Sequence, residues 1–278
     1  MAVQFAPVPP GIPPATLAAL KAGPQSDPPV PFRRNSKKIV IALQFWAGDR
    51  TRAMRLASLI ADIEQVKNNQ FDFAFVARFD TAPDMDTVHK VSRKFNVWTL
   101  KGTRRGTGWP HGCNELACDM FQQAVTYKRQ KLWNNHKAVY LLESDNMPMR
   151  RDWLQAISDE WDEAQTKGKL IMGSWSPYHS TVGHINGNML FDLDLALKVK
   201  GLEGCPARAG WDCYFAHKFA PHWHRSRIMS NHYDHRNNIA PEVLFSSVDG
   251  KTPVAVVHGV KDDSAERQVR PLLFSKTL

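Results

Sequence analysis

The sequence predicts an α/β fold in which a mostly parallel, mixed central sheet is flanked by helices on both faces. From residue 38 onward, short apolar runs alternate with amphipathic segments, which is the pattern of strands joined by crossover helices. The chain has 278 residues, is 43% hydrophobic and contains nine tryptophans, so it can bury a large core. We therefore expect a single domain over residues 37–278, divided into halves at residues 37–150 and 151–278.

The apolar and amphipathic runs set the order of the predicted elements. In the first half, strands are expected at 38–45, 71–79, 96–100 and 138–142, and helices near 51–66, 84–94 and 113–129, and a helix near 151–164 begins the second half. In the second half, strands near 169–174, 185–191 and 253–258 are separated by loops rich in His, Asn, Gly and Trp. The second half is thus predicted to be less regular than the first.

The first 36 residues differ from the rest in composition. They are rich in proline, which favours extended and unpacked backbone. Near their end stand the basic residues Arg33, Arg34, Lys37 and Lys38. We expect residues 1–36 to form a flexible or extended arm whose basic end contacts phosphates.

Charge and cysteine content limit the partners and the compartment. Lys and Arg total 36 against 27 Asp and Glu, a formal net charge of +9, which favours an anionic partner such as nucleic acid or a nucleotide-sugar. The four cysteines form no CxxC pair, so neither a disulfide framework nor a thiolate zinc site is indicated. With no apolar stretch of membrane-spanning length, we expect no membrane association and a cytoplasmic location, in the host cytoplasm if a phage encodes the chain.

Mostly polar residues end or follow each predicted strand of the first half. In open α/β sheets, ligands bind beyond the carboxyl ends of the strands, so these residues are the first candidates for a site. They are Gln44, Phe45 and Arg50 after the first strand, Asp80 after the second, Arg104, Gly108 and Asn114 after the third, and Glu143, Ser144 and Asp145 after the fourth.

The acidic triplet at residues 143–145 is the strongest chemical signal in the sequence. Two carboxylates at the end of an apolar strand are unfavourable unless a cation or hydrogen-bond donors compensate them. Mg²⁺ and Mn²⁺ prefer oxygen ligands and often share them with a diphosphate, so a divalent metal explains the pair. The alternative is a surface turn in which Asp145 caps a helix beginning near Met149.

The order of the motifs along residues 38–262 resembles the GT-A glycosyltransferases. The acidic triplet is preceded by a Gly-rich loop and followed by Gly187-Asn188, Trp211-Asp212 and the segment from His258 to Lys261. This resemblance implies that the first half binds a nucleotide-sugar and the second half binds an acceptor. It also implies metal ligands at Glu143, Asp145 and His258, although the family commonly has Asp where this chain has Glu143.

The same resemblance implies roles for other residues. Asp212 would be the catalytic base, which takes the proton of the acceptor hydroxyl; an ordinary helix N-cap is the alternative interpretation of this residue. Residues expected to contact the donor are Gln44, Phe45, Arg50, Asp80, Arg104, Gly108, Asn114, Ser144, Asn188 and Lys261.

Several histidines in the second half cluster with Trp and Arg. They are His217, His222, His224, His232 and His235. The spacing of some of them is compatible with zinc ligands, but no cysteine or acidic pattern completes a familiar set. A surface that contacts nucleic-acid backbone is the other interpretation.

The function that we expect from the sequence is transfer of a hexose with Mn²⁺ or Mg²⁺ as cofactor. The donor would be UDP-glucose, and the acceptor a 5-hydroxymethylpyrimidine in DNA, because the net charge favours DNA and the chain resembles phage-type enzymes that glycosylate such bases. Three alternatives stay open: a transferase of the same fold that acts on a glycan or protein, a non-catalytic nucleic-acid-binding protein, and a metal-dependent nuclease.

Overall fold

The computed structural model describes residues 37–177, 180–206, 208–235 and 237–274. Two sheets organise these residues. Their strands are β1 (Lys38–Phe45), β2 (Phe71–Ala77), β3 (Asn96–Lys101), β4 (His136–Glu143), β5 (Met147–Pro148), β6 (Ile171–Ser176), β7 (His184–Asp192), β8 (Trp223–Arg225), β9 (Met229–Asn231) and β10 (Val256–His258). The larger sheet has seven strands in the order β3-β2-β1-β4-β7-β6-β8, and the smaller has three in the order β5-β10-β9.

The larger sheet is mixed and mostly parallel. Strands β3, β2, β1 and β4 run parallel to one another, β7 runs antiparallel to both of its neighbours, and β8 is parallel to β6. Strand β7 therefore begins at the edge of the sheet where β1 and β4 end. The smaller sheet pairs β10 with β5, which follows β4 closely in sequence, so residues near position 258 return to that same edge.

Helices cover both faces of the larger sheet. They are α1 (Arg50–Ile63), α2 (Met85–Ser92), α3 (His111–Arg129), α4 (Trp153–Thr166), α5 (Leu195–Lys198), α6 (Trp211–Tyr214), α7 (Ala216–Phe219), α8 (Pro241–Leu244) and α9 (Ser264–Phe274). Alternate residues of each strand face opposite sides. Ile39 and Ile41 join the apolar cluster that includes α1, α4 and α9, whereas Val40 and Ala42 join the cluster that includes α3, α6 and α7.

The predicted fold class is confirmed, with element bounds that shift by a few residues. Three short strands that the sequence did not predict, β5, β8 and β9, hold only two or three residues each, too few for a periodic pattern. The alternative in which Asp145 caps a nearby helix is wrong, because α4 begins only at Trp153 and its N-cap is Asp152. The predicted arm at residues 1–36 lies outside the described residues.

No helix in the described part of the chain is both long enough and apolar enough to cross a bilayer. The four cysteines are free thiols.

An acid at the amino ends of the strands has a structural role. The buried carboxylate of Asp72 accepts hydrogen bonds from Lys38 at 2.9 Å and lies 3.0 Å from Nε2 of His136. Burial by itself would raise the pKa of Asp72, but His136 and Lys38 outweigh it and hold that pKa well below its usual value. The ionised carboxylate thus ties β2 to the first residues of β1 and β4.

We expect Asp72→Asn to lower the free energy of unfolding by about 2 kcal/mol at pH 7, because it removes charge-assisted hydrogen bonds. A carboxyl whose pKa is lowered by folding stabilises the fold above its unfolded pKa, and loses that effect as the pH falls. The difference between the variant and the wild type should therefore shrink below about pH 4. Urea unfolding at several pH values measures it.

The matched control is Asp62→Asn, which removes an exposed ion pair with Lys90. It should change the free energy of unfolding by less than about 1 kcal/mol. An Asp72→Asn effect that stays constant from pH 7 to pH 3 would contradict the structural role of this carboxylate.

Candidate active site

The acidic triplet lies at the carboxyl edge of the larger sheet. Glu143 is the last residue of β4 and pairs in register with Gln44 near the end of β1. Gly187 of β7 lies so close that a Cβ there would collide with the Glu143 carboxylate. The edge thus brings together three strands from distant parts of the sequence.

His258 joins the two carboxylates. Its Nε2 lies 2.9 Å from Oε2 of Glu143 and 3.4 Å from Oδ1 of Asp145, while its Nδ1 lies 3.1 Å from Oδ1 of Asn231. The contact with Asn231 fixes the orientation of the ring, as partners of metal-ligating histidines do. Asp145 is nearly inaccessible, with a side chain that is 2% exposed, and Lys261 donates a hydrogen bond to its Oδ2.

The electrostatics of this group follow from burial and opposite charge. Burial would lower the pKa of His258, but the carboxylates of Asp145 and Glu143 outweigh it and raise that pKa to about 10. Burial would raise the pKa of Asp145, but His258 and Lys261 hold it well below its usual value. Two cationic groups therefore compensate the buried carboxylate.

The residues present fit a divalent metal ion. One ligand atom from each of Glu143, Asp145 and His258 lies within 4.8 Å of the other two. Two carboxylates and one imidazole form a ligand set that suits Mn²⁺ or Mg²⁺. In the metal-free protein, His258 and Lys261 supply the positive charge that the buried carboxylate requires. A cation bound at Nε2 of His258 would replace the proton there, and that proton would leave to solvent.

Asp49 and Ser144 extend the site toward α1. The Ser144 hydroxyl donates to Oδ2 of Asp49 at 3.0 Å, and the Trp46 amide donates to Oδ1 at 2.8 Å. Burial raises the pKa of Asp49. Beside them, an open cleft of about 330 Å³ runs between α1 and the segment that includes Lys261.

Asp212 lies at the start of α6, close to His184 and Glu143 at the same edge. Its Oδ2 is 3.6 Å from Nε2 of His184, and its Oδ1 accepts the Cys213 amide at 2.9 Å. Burial raises the pKa of Asp212, nearby Glu143 adds to this effect, and His184 opposes it. The N-cap of α6 is Gly210, so Asp212 is not the cap of this helix.

Other residues that we expected near the donor hold the protein together. The Asn114 amide donates to the carbonyls of Pro206 and Ala209, and its oxygen accepts the Trp211 amide at 2.7 Å. The Arg104 guanidinium pairs with Asp119 at 3.1 Å. The side chains of both residues are thus engaged within the protein.

Two residues that we expected to contact the donor, Phe45 of β1 and Asn188 of β7, are buried. Phe45 packs in the core, which leaves only its backbone for a ligand. Asn188 is fully buried, and its oxygen accepts the Tyr140 hydroxyl at 2.7 Å. Four buried amide atoms here have no partner among the described residues: Nε2 of Gln44, Oδ1 of Asn146, Nδ2 of Asn186 and Nδ2 of Asn188.

The other residues that we expected to contact the donor, Arg50, Asp80 and Gly108, are exposed or partly exposed. The Arg50 side chain donates to the Ala82 carbonyl at 2.7 Å. Asp80 is exposed and pairs with Arg78, whose guanidinium lies 5.9 Å from the Trp46 ring centroid. Gly108 has a φ of 68°, which glycine adopts without strain.

The clustered histidines of the second half do not converge on a metal site. Among the described residues, two groups can hold an ion, and neither contains His217, His222, His224, His232 or His235. His224 instead pairs with Glu160 at 3.3 Å, and burial lowers the pKa of His232 to about 4.

Sequence reasoning missed Asp49, Cys113, His184 and Asn231. Asp49 could have been found, because it follows the first strand in the same way as the residues that were chosen. Cys113 lies close enough to Glu143, Asp49 and Asp145 for their charges to add to the effect of burial, which raises its pKa to about 12. His184 and Asn231 reach the site through an antiparallel strand and a three-residue strand, whose pairing the sequence pattern does not reveal.

Solved structures of several glycosyltransferases are similar to this chain. A mannosyltransferase from Pyrobaculum calidifontis, in complex with GDP-Man and Mn²⁺, is 11% identical, with a TM-score of 0.44 over 73% of this chain and 56% of that chain. The mannosyltransferase Ktr4p from S. cerevisiae, in complex with GDP, is 11% identical, with a TM-score of 0.43 over 74% of each chain. TarS from S. aureus is 12% identical, with a TM-score of 0.47 over 85% of this chain and 39% of that chain.

This chain thus spans about half the length of the first of these proteins. Neither a protein-family model nor a curated protein matches the sequence. Identities and scores this low say nothing about the reaction, which must be inferred from the chemistry of the site.

We expect Gly187→Ala to weaken Mn²⁺ binding at least tenfold, because the added Cβ displaces the Glu143 carboxylate from its position beside His258. Titration calorimetry measures the affinity, and the unfolding temperature checks that the variant folds. Gly204→Ala is the control, because a Cβ there meets only the far end of Arg104, at 4.0 Å. Equal Mn²⁺ affinity in the two variants would show that Glu143 is not a ligand.

Proposed function

We propose that this protein is a metal-dependent glycosyltransferase that uses a nucleotide-sugar donor. The observation that carries the proposal is the group formed by Glu143, Asp145, His258 and Lys261 at the carboxyl edge of the sheet. Oxygen and imidazole ligands beside a lysine suit a diphosphate that shares a divalent cation with the protein. Ligands of open α/β sheets bind at this edge.

Glu143, Asp145 and His258 would hold the cation, with Asn231 fixing the imidazole. When bound, the cation supplies positive charge that stabilises the departing nucleoside diphosphate. Lys261 would leave Asp145 and donate to a diphosphate oxygen, because the cation then compensates the carboxylate. The ammonium group of Lys261 thus has two alternative anionic partners, the Asp145 carboxylate and the diphosphate.

The buried amides without partners support a polar ligand at this edge. Buried polar atoms normally have a hydrogen-bond partner, and those left without one often face a ligand or water site. Nε2 of Gln44 and Nδ2 of Asn186 can donate to hydroxyl groups, and Oδ1 of Asn146 can accept from them. A sugar presents both kinds of group.

Asp212 would act as the base on the acceptor side. Burial raises its pKa above that of an ordinary carboxyl, which strengthens it as a proton acceptor. The Cys213 amide holds Oδ1, so Oδ2 is the atom that takes the proton of the acceptor hydroxyl. The side chain of Asp212 is 21% exposed, so an acceptor can reach it.

The narrower proposal is glucose from UDP-glucose and a 5-hydroxymethylpyrimidine of DNA as acceptor. Its support is the net charge of +9, which favours an anionic acceptor. A glycan or protein acceptor is the alternative, and transfer to it would be insensitive to salt, whereas transfer to DNA falls as salt increases.

A panel of nucleotide-sugars tests the proposed function. With Mn²⁺ present, one of them should raise the melting temperature of the wild type, since a ligand that binds the folded state stabilises it. In Asp145→Asn the shift should need at least about ten times more ligand, because a metal ligand is lost. The exposed Asp62→Asn serves as the control and should behave as the wild type. If no donor shifts the wild type with Mn²⁺, the proposal fails.

Asp212→Asn separates binding from chemistry. We expect transfer from UDP-glucose to hydroxymethylated DNA, followed as a gain of one hexose by mass spectrometry, to fall by about 10²–10⁴-fold. Donor affinity should change little, because Asp212 lies on the acceptor side. In the wild type the rate should rise with pH through the raised pKa of Asp212, and this rise should be absent in the variant. A variant that transfers at the wild-type rate would exclude Asp212 as the base.

A further inference from the structure

A second group of metal-ligating side chains lies on the acceptor side of the site. It consists of His184 at the start of β7 and of Asp212 and Cys213 in the first turn of α6. One ligand atom from each residue lies within 4.8 Å of the other two. His184 is buried, and the two α6 residues are partly buried.

The chemistry of this group differs from that of the acidic triplet. The triplet offers two carboxylates and an imidazole, whereas the second group offers an imidazole, one carboxylate and a thiol. Thiolate and imidazole ligands select zinc over the harder cations Mn²⁺ and Mg²⁺. Three protein ligands with a fourth position left for water is a common zinc arrangement.

The separation of the ligand atoms also suits this ion. In a tetrahedral zinc site with bonds of about 2.0–2.3 Å, neighbouring ligand atoms lie roughly 3.3–3.8 Å apart. The 3.6 Å between Nε2 of His184 and Oδ2 of Asp212 falls in this range and is longer than a hydrogen bond. The two atoms are thus spaced as two ligands of one ion.

We propose that His184, Asp212 and Cys213 form a zinc site that is separate from the proposed Mn²⁺ site. Zinc binds the imidazole nitrogen, a carboxylate oxygen and the sulfur, and the thiol proton leaves to solvent as the Zn–S bond forms. One consequence rests on the proposed function: zinc occupies the oxygen that serves as the base, so it inhibits transfer.

Cobalt spectroscopy of the full chain tests the site without any need for activity. Co²⁺ replaces zinc and gives a sulfur-to-cobalt absorption band only when a thiolate is bound. The wild type should show this band, and added Zn²⁺ should remove it. Cys213→Ser and His184→Ala should lose it, with unchanged melting temperatures as evidence that both variants fold.

Three control variants make the result specific. Asp145→Asn should keep the band, because the acidic triplet has no sulfur ligand. Cys113→Ser and Cys205→Ser should also keep it, although Cys113 lies near the triplet and Cys205 near Cys213. A wild type with no thiolate band would overturn the proposal, as would a band that survives Cys213→Ser.

Inhibition of sugar transfer by Zn²⁺ tests whether zinc blocks the proposed base, Asp212. Zn²⁺ should inhibit transfer by the wild type in the presence of Mn²⁺, and a chelator followed by fresh Mn²⁺ should restore the rate. The half-inhibiting Zn²⁺ concentration of Cys213→Ser should be at least about tenfold higher than that of the wild type, with the inhibition of each protein expressed relative to its own rate without Zn²⁺. Equal inhibition of both proteins would contradict the inhibitory role. If neither protein transfers a sugar, the proposed function fails, while the cobalt band still decides the zinc site.

Discussion

The structure of the site depends on the compensation of one buried charge. The Asp145 carboxylate is almost fully removed from water, where an uncompensated charge would be very unfavourable. Its partners, His258 and Lys261, stand more than 110 residues further along the chain. Burial of this acid thus requires that the last part of the domain folds back onto the first.

The topology of the two sheets makes this return possible. The parallel strands β1 and β4 deliver Gln44 and Glu143 to one edge, and the small sheet carries β10 to the same edge beside β5. Antiparallel β7 enters the sheet there, which brings His184 and Asn186 to the same edge. At the opposite edge, the carboxylate of Asp72 pairs with Lys38 and His136, so this buried charge is compensated within the protein.

Much of this arrangement could be predicted from local patterns. Four parallel strands and their helices followed from hydrophobic periodicity, and the rule for strand ends selected Glu143, Asp145 and Gln44. The same rule also selected Asn114 and Arg104, whose side chains are engaged in holding loops. A sequence pattern gives the position of a polar residue relative to a strand, but not the partner that its side chain finds after folding.

His184, Cys213 and Asn231 were harder to predict for a physical reason. Cys213 and Asn231 belong to a four-residue helix and a three-residue strand, and elements this short are stabilised by tertiary contacts and not by their own sequence. His184 begins the nine-residue strand β7, whose antiparallel pairing with β4 no local pattern shows. Their roles therefore emerge only when the long-range pairing is known. The histidine cluster illustrates the converse, because spacing along the chain suggested convergence that the fold does not produce.

The most direct test of the central claim is anomalous diffraction at the manganese edge from crystals grown with Mn²⁺ and a nucleotide-sugar. We expect one strong peak between Glu143, Asp145 and His258, with diphosphate oxygens on the same ion and Lys261 turned from Asp145 to the diphosphate. Bound nucleotide-sugar with no peak among these three side chains would contradict it.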